Sequence, residues 1–413
     1  MVKGEALGPV AFIAVLRDGS WAAGARLRSY ALVAIGVYLA AAIGMLLLAE
    51  NGIGPDGKPI GTDFASFWNA ARLALAGQAA VPYDMLAFAE AQRAAMGQIP
   101  FYAFFYPPTF LLMVAPLGAL PYLAALGGFL GATFLLAAAA ANRILPGRDG
   151  VILLLAAPAG FVALGHGQNA FLLMGLLGFG LALLGQRPIL AGLLLGLASI
   201  KPQLGLLLPV ALIAGGQWRA LIAAGLGAVG FAGCAGVAFG PDIWQAFLDQ
   251  MPEASLAMRA GSVPWGKMVT LYAGLRVLGA GEILALTAQG LALLAMACLL
   301  ALVWRDRDPA RAPLRAAILV AATPLAAPVA LDYDLLLMLL PMLWLTAHAR
   351  AHGIGSWEIS GAALIYLLPF IARPLALHLG LPIAPLALIL FLALLVRRWQ
   401  AFGGTLGQRA GAL

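Results

Sequence analysis

Apolar runs of membrane-spanning or nearly membrane-spanning length recur along the chain, and short polar clusters between them carry most of the charge. A spanning helix needs roughly 20 apolar residues. The runs at 30–49, 121–141, 151–164, 170–184, 189–200, 204–214, 220–239, 283–304, 314–330, 335–346, 359–371 and 382–396 predict about 12 such helices, several of them short. Residues 50–106 break the pattern, with Asp56, Lys58, Asp63, Arg72, Asp84, Glu90 and Arg93 set among glycines and prolines. Within them Phe64, Phe67, Trp68, Ala71 and Leu75 recur at helical spacing, with Ser66, Asn69 and Arg72 on the other side. That predicts an amphipathic helix lying on the bilayer. Residues 82–97 read as a second, more polar one, and 107–117 as a short apolar helix dipping into the membrane. A further polar stretch, 240–281, carries Asp242, Asp249, Glu253, Arg259, Trp265 and Lys267, and reads as an outer loop that either connects spans or covers a site. The expectation is one all-α transmembrane domain over residues 1–413, with a long first external loop at 50–106 and another at 240–281.

Composition strengthens this picture. The chain is 63% apolar and 10% charged, with mean hydropathy +0.96, whereas a soluble domain has about a quarter of its residues charged. Lipid is therefore the solvent for much of the surface. The net charge of +7 does not point to nucleic acid, because the arginines fall in short clusters between apolar runs, as the positive-inside rule requires. Lys3, Arg17, Arg26 and Arg28 before the first span set the N-terminus on the cytoplasmic side. Alternation then places Arg143, Arg148, Arg187, Arg219, Arg305, Arg307, Arg311, Arg315, His348, Arg350, Arg397 and Arg398 inside. It places Asp63, the turn 165–169, Lys201, the segment 240–281, Asp332 to Asp334 and Arg373 outside. Cys234 and Cys298 lie within apolar runs and read as buried helix positions rather than a disulfide pair. Residues 10–16 are too short, and lack the small-residue site, for a cleavable signal. The expected location is a bacterial inner or plasma membrane, multi-pass, with the mixed polar set facing the periplasm or exterior.

The outer set carries the candidate chemistry. Asp63 directly precedes the helical pattern that starts at Phe64. An Asp there caps the helix, worth about 1 kcal/mol, or stands at the bilayer surface as a general base; the roles are compatible. Gly165-His166-Gly167-Gln168-Asn169 interrupts two apolar runs. It is either a polar connector or a tight turn presenting donors and acceptors, and an imidazole between two glycines favours the second. Lys201-Pro202-Gln203 lies inside an apolar stretch, where a lysine is costly unless it snorkels, pairs or lines a polar cavity. Pro202 breaks the helix and frees carbonyls there. We read the site as cationic, suited to an anionic headgroup, with snorkelling as the alternative. Asp332-Tyr333-Asp334 is a carboxylate pair at another outer helix end, either a solvated helix start or part of the site, with no other ligands at metal-binding spacing.

The order of these elements resembles a known family. Asp63-Phe64 is followed by a helix ending at Gly77, then Pro82-Tyr83-Asp84, Tyr106-Pro107-Pro108, Pro116-Leu117, Gly167-Gln168-Asn169, and Gly192 to Gly196 leading into Lys201-Pro202-Gln203. This series is similar to glycosyltransferase family 87, polyprenol-phosphate-mannose-dependent mannosyltransferases of the GT-C fold, over residues 30–345. The resemblance implies an inverting enzyme that moves a sugar, mannose or another hexose, from a polyprenyl-phosphate donor to a hydroxyl of a lipid or glycan acceptor at the outer leaflet. It implies Asp63 as base, acting without metal or other cofactor. Lys201, with Arg72 and Arg373, would bind the donor phosphate. His166, Gln168, Asn169, Gln203, Tyr106, Asp332, Tyr333 and Asp334 would line the sugar and acceptor sites. Mycobacterial-type mannosyltransferases carry histidines after a proline near a later external helix end. The matching stretch here, Pro328 to Asp334, has none, which leaves sugar and acceptor open. The competing readings are a transporter or flippase, which would place ionisable groups near the midplane in repeated halves, and a noncatalytic assembly subunit.

Overall fold

The structure is a computed structural model that describes residues 9–22 and 24–406, so Lys3 lies outside the described residues. The described chain is helical, with only isolated bridges, Glu50 to Ile53, Ile53 to Pro59 and Met268 to Leu331. Seven helices are long and apolar enough to cross a membrane, and an eighth span arises if Arg148–Leu155 and Pro158–His166, bent by 54°, count as one.

Burial separates apolar helices that face lipid from those that form the core. Gly24–Leu48 exposes Leu32 (63%), Val33 (66%) and Leu47 (80%). Such a surface is stable only against hydrocarbon, and the protein is an integral membrane protein. Cys234 and Cys298, expected in the interior, are exposed on the outward faces of Trp218–Phe239 and Glu282–Val303. An apolar run does not tell a lipid-facing position from a core one. By contrast Ala170–Leu183 and Ala312–Ala326 are buried on nearly every side and form the centre.

The expected spans at 170–184, 189–200 and 204–214 appear as the shorter apolar helices Ala170–Leu183, Pro188–Ile200 and Pro202–Ala214. The last two form a hairpin. Its first foot adjoins Gln186, which accepts from Arg143 at 2.7 Å. At its second foot, a Cβ on Gly216 would stand 3.0 Å from Arg307. Both feet thus lie at the arginine-rich end, and the chain turns back at Lys201. Gly192 and Gly196 seat the hairpin on Trp218–Phe239. Added Cβ atoms there would come within 2.2 Å of the Ala220 carbonyl and 2.5 Å of the Ala224 carbonyl, a close approach that small residues permit.

Phe64–Leu75 departs from its expectation. It does not lie on a bilayer surface with Ser66 and Asn69 outward, because both are buried along with Phe64, Phe67 and Ala71. Their polar groups are met locally, Ser66 Oγ donating to Asp63 O at 2.9 Å and Asn69 Nδ2 to Ala65 O at 2.8 Å. The turn Ala115–Ala119 covers the helix so tightly that a Cβ on Gly118 would sit 2.6 Å from the Ala71 backbone. Aromatic rings of Phe104, Tyr106, Phe110 and Phe129 surround Phe67.

The two polar sets occupy opposite ends of the bundle. Arg28 (3.2 Å) and Arg350 both pair with Asp149, Arg398 pairs with Glu358, and Asp306 accepts from Arg311 and from Trp399 Nε1 at 2.9 Å. These bonds tie the arginine clusters to one another, and among the described residues none reaches the outer set. The Arg398–Glu358 pair is deeply enclosed, with side chains only 3% and 6% exposed, and Arg398 also bonds His348 Nδ1 at 2.9 Å. Glu358→Ala would strand a buried guanidinium and cost about 3–5 kcal/mol, while replacing both partners by leucine should recover much of that loss. Thermal unfolding of purified protein in detergent checks it; equal midpoints for wild type and Glu358→Ala would refute the estimate.

Candidate functional site

Two glycine turns, far apart in sequence, touch and create the site. Gly61 (φ +74°) turns the chain into Phe64–Leu75, and Gly167 (φ +62°) closes Pro158–His166 in the left-handed conformation. A Cβ on Gly167 would stand 2.5 Å from Phe64 Cβ and 2.9 Å from the Gly61 carbonyl, so the position requires glycine. The contact places Thr62 Oγ1 2.8 Å from His166 Nδ1. It also lets Gln168 Nε2 donate to Asp63 Oδ2 at 2.8 Å, while Tyr106 OH donates to Gln168 Oε1 at 2.9 Å.

Asp63 does not cap its helix. It is itself helical (φ −66°, ψ −24°) and makes no side-chain cap bond. Asp84 shows what capping looks like, in extended conformation and accepting from Leu86 N (2.9 Å) and Ala87 N (3.0 Å). Asp63 is only partly buried. Gln168 fixes one of its oxygens, and among the described residues no group donates to Oδ1. That leaves a carboxylate with a set orientation and an open acceptor.

Lys201 forms the floor. It neither snorkels nor stands unpaired: Nζ meets Asp334 Oδ1 at 2.8 Å, both side chains being 4% exposed. It also lies 4.7 Å from the Tyr333 ring centre and 5.8 Å from that of Tyr106. Its positive charge is therefore already met by a carboxylate and two aromatic faces. Asp332 and Asp334 are not a solvated helix start, since Asp332–Met338 is a wholly buried 3-10 segment. Asp334 Oδ2 accepts from Leu331 N at 3.1 Å, Asp332 Oδ1 from Tyr333 N at 2.9 Å, and Asp332 Oδ2 faces Arg373 Nη1 at 3.4 Å. The His166 and Tyr333 rings meet edge-on, centres 6.0 Å apart.

The structure thus gathers Asp63, Tyr106, His166, Gln168, Lys201, Asp332, Tyr333, Asp334 and Arg373. Three candidates do not join. Arg72 is exposed and lies over the Trp68 ring at 4.8 Å. Gln203 is partly buried in the turn Pro202–Leu204 and bonds to none of the set. Asn169 is fully enclosed, with neither side-chain polar atom partnered in the structure.

The site also contains residues that the sequence did not single out. Lys267 ends the short turn Trp265–Lys267. The Met268–Leu331 bridge, with Val269 N donating to Ala330 O at 2.9 Å, lays that segment beside Asp332. Burial, and then the Arg373 charge, hold the Lys267 ammonium below the usual lysine range, against the pull of Asp63 and Asp332. Burial, followed by the charges of Asp63 and Asp56, pushes the Tyr102 phenol up to about 12. Lys267 was visible only as one charge in a mixed loop; a single bridge between distant segments leaves no periodic trace.

Gly167→Ala would add about 1–2 kcal/mol of left-handed backbone strain and drive a methyl into Phe64. The expected outcome is a lowered unfolding midpoint together with loss of turnover. Wild-type behaviour in both would show that the two turns can separate without consequence.

Among known families the chain matches Glycosyltransferase family 87 over residues 104–330, more than half the chain. No curated protein and no solved structure matches.

Proposed function

The chain belongs to glycosyltransferase family 87, and we propose that it transfers mannose or another hexose from a polyprenyl-phosphate donor to a hydroxyl of a lipid or glycan acceptor. Family membership makes it a glycosyltransferase and removes the transporter reading. The observation that carries the finer proposal is the state of Asp63, with Oδ2 fixed by Gln168 and Oδ1 without a hydrogen bond among the described residues.

A sugar on a lipid phosphate already carries a good leaving group, so a strong general acid is not needed. The site has to supply a base for the acceptor and positive charge for the departing phosphate. Asp63 takes the proton as the acceptor oxygen attacks C1. The C1–O bond to phosphate breaks on the opposite face, and the electron pair leaves with the phosphate oxygen. One displacement inverts the anomeric centre, so one carboxylate suffices. Tyr106 and Gln168 hold that carboxylate in place. His166, Tyr333 and Tyr102 lie around it, where sugar or acceptor hydroxyls would be bound. In this reading residues 50–106 and 240–281 are the external loops, the site faces the periplasm or exterior of a bacterial inner membrane, and the arginine-rich end faces the cytoplasm.

Asp63→Asn keeps the size of the side chain but removes the base, and should lower turnover of a radiolabelled polyprenyl-phosphate hexose about 10²–10⁴-fold. Near-wild-type turnover would remove Asp63 from the mechanism. The proposal also excludes an essential metal, so turnover in excess EDTA should equal that without it; a loss restored by a divalent cation would overturn that point.

A further inference from the structure

The donor's phosphate needs a cation that is accessible and not already neutralised, and Lys201 is neither. Its ammonium is enclosed against Asp334, and freeing it would leave a carboxylate buried without a partner. Two other cations of the same end are more accessible and less tightly paired. Arg373 projects from Glu358–Leu379 with about a third of its side chain exposed (34%) and one carboxylate, Asp332, at 3.4 Å. Lys267 is partly buried, and none of its side-chain atoms makes a hydrogen bond among the described residues.

Packing holds these two cations together. A Cβ on Gly266 would stand 2.7 Å from Leu377 Cδ2 and 3.3 Å from Ala376 Cβ, so the Lys267 turn rests on the helix about one turn beyond Arg373. From the other side, the Met268–Leu331 bridge lays the same segment next to Asp332. The charges that act on Lys267 include Arg373, Asp332 and Asp63, which ties the pair to the proposed base. Two cations therefore share Asp332, and Asp63 is the other carboxylate that acts on Lys267. Packing forces like charges together here, and an anion would relieve both.

We propose that Lys267 and Arg373, rather than Lys201, form the donor-phosphate site, with Asp332 holding Arg373 in place. This rests on the reading of the protein as a lipid-phosphate-sugar transferase. The phosphate of a sugar phosphodiester carries one negative charge. When C1–O breaks, the leaving prenyl phosphate is a monoester and gains a second. Two adjacent cations bind the later, doubly charged state more strongly than the earlier one, as rate enhancement requires. Lys201 and Asp334, mutually neutralised, act as a positioning pair beneath it.

The test is calorimetric titration of the purified full chain with three probes: farnesyl phosphate, farnesol and inorganic phosphate. Wild type should prefer farnesyl phosphate to farnesol by at least about tenfold, in keeping with charge-assisted hydrogen bonds. Lys267→Gln is the decisive variant, because no hydrogen bond in the structure depends on that side chain. It should abolish most of the preference, Lys267→Arg should keep it, and Arg373→Gln should lose it to a similar degree. If wild type prefers the phosphate and both glutamine variants retain that preference, the pair is wrong while the proposed function stands. If wild type does not distinguish farnesyl phosphate from farnesol, the lipid-phosphate donor fails and the pair with it. Equal, competing affinity for inorganic phosphate would make this a free-phosphate site and overturn the lipid assignment.

Discussion

A lysine placed among apolar helices must find a counter-charge, and much of the end that carries Asp63 follows from that requirement. Lys201 is the tip of a hairpin whose feet lie at the opposite end of the bundle, and Asp334 is the carboxylate it meets. Their pairing fixes the hairpin against Asp332–Met338 and stands Tyr333 and Tyr106 over the ammonium. Tyr106 in turn holds Gln168, Gln168 holds Asp63, and Asp332 holds Arg373. The pair adds little net stability over a well-packed apolar alternative. What it contributes is a defined position for groups drawn from six separate stretches of the chain.

The division of the molecule into two chemically different ends was legible because lipid is an unforgiving solvent. Arginines mark the boundary of each apolar run, and alternation sorts the remaining polar groups to the other end. Gln168, Lys201 and Asp334 were singled out this way, since each interrupts an apolar pattern at a place where interruption is costly, and Asp63 by its place directly before a helical pattern. The span count was less legible. Residues 170–214 contain three apolar runs, but burial makes one a central helix and turns two into a hairpin, and hydropathy alone cannot separate hydrocarbon from a protein interior of the same polarity.

Where the reading failed, long-range contact was the reason. Ser66 and Asn69 looked like the outward side of a surface helix, yet a turn folds over them and their side chains bond within their own helix. Arg72 had the right charge, yet it is exposed and lies over the Trp68 ring instead of beside Asp63. Lys267 seemed an ordinary loop residue until a single backbone bridge brought it to Asp332. The capping reading of Asp63 is overturned by a backbone that is already helical at Asp63, which leaves its carboxylate to Gln168.

The hairpin also has a consequence in time. Lys201 and Asp334 are separated by 133 positions. At synthesis rates of about 5–20 residues per second, roughly 7–27 s pass between the emergence of the lysine and that of its partner. Throughout that interval the ammonium has no carboxylate to meet, and a tip carrying it cannot settle into hydrocarbon. Arg373, later still, completes the opposite wall. That end of the bundle therefore closes from its last-made parts, and a chain stalled before Asp334 would hold Asp63 and Gln168 without the ion pair that anchors the tyrosines around them.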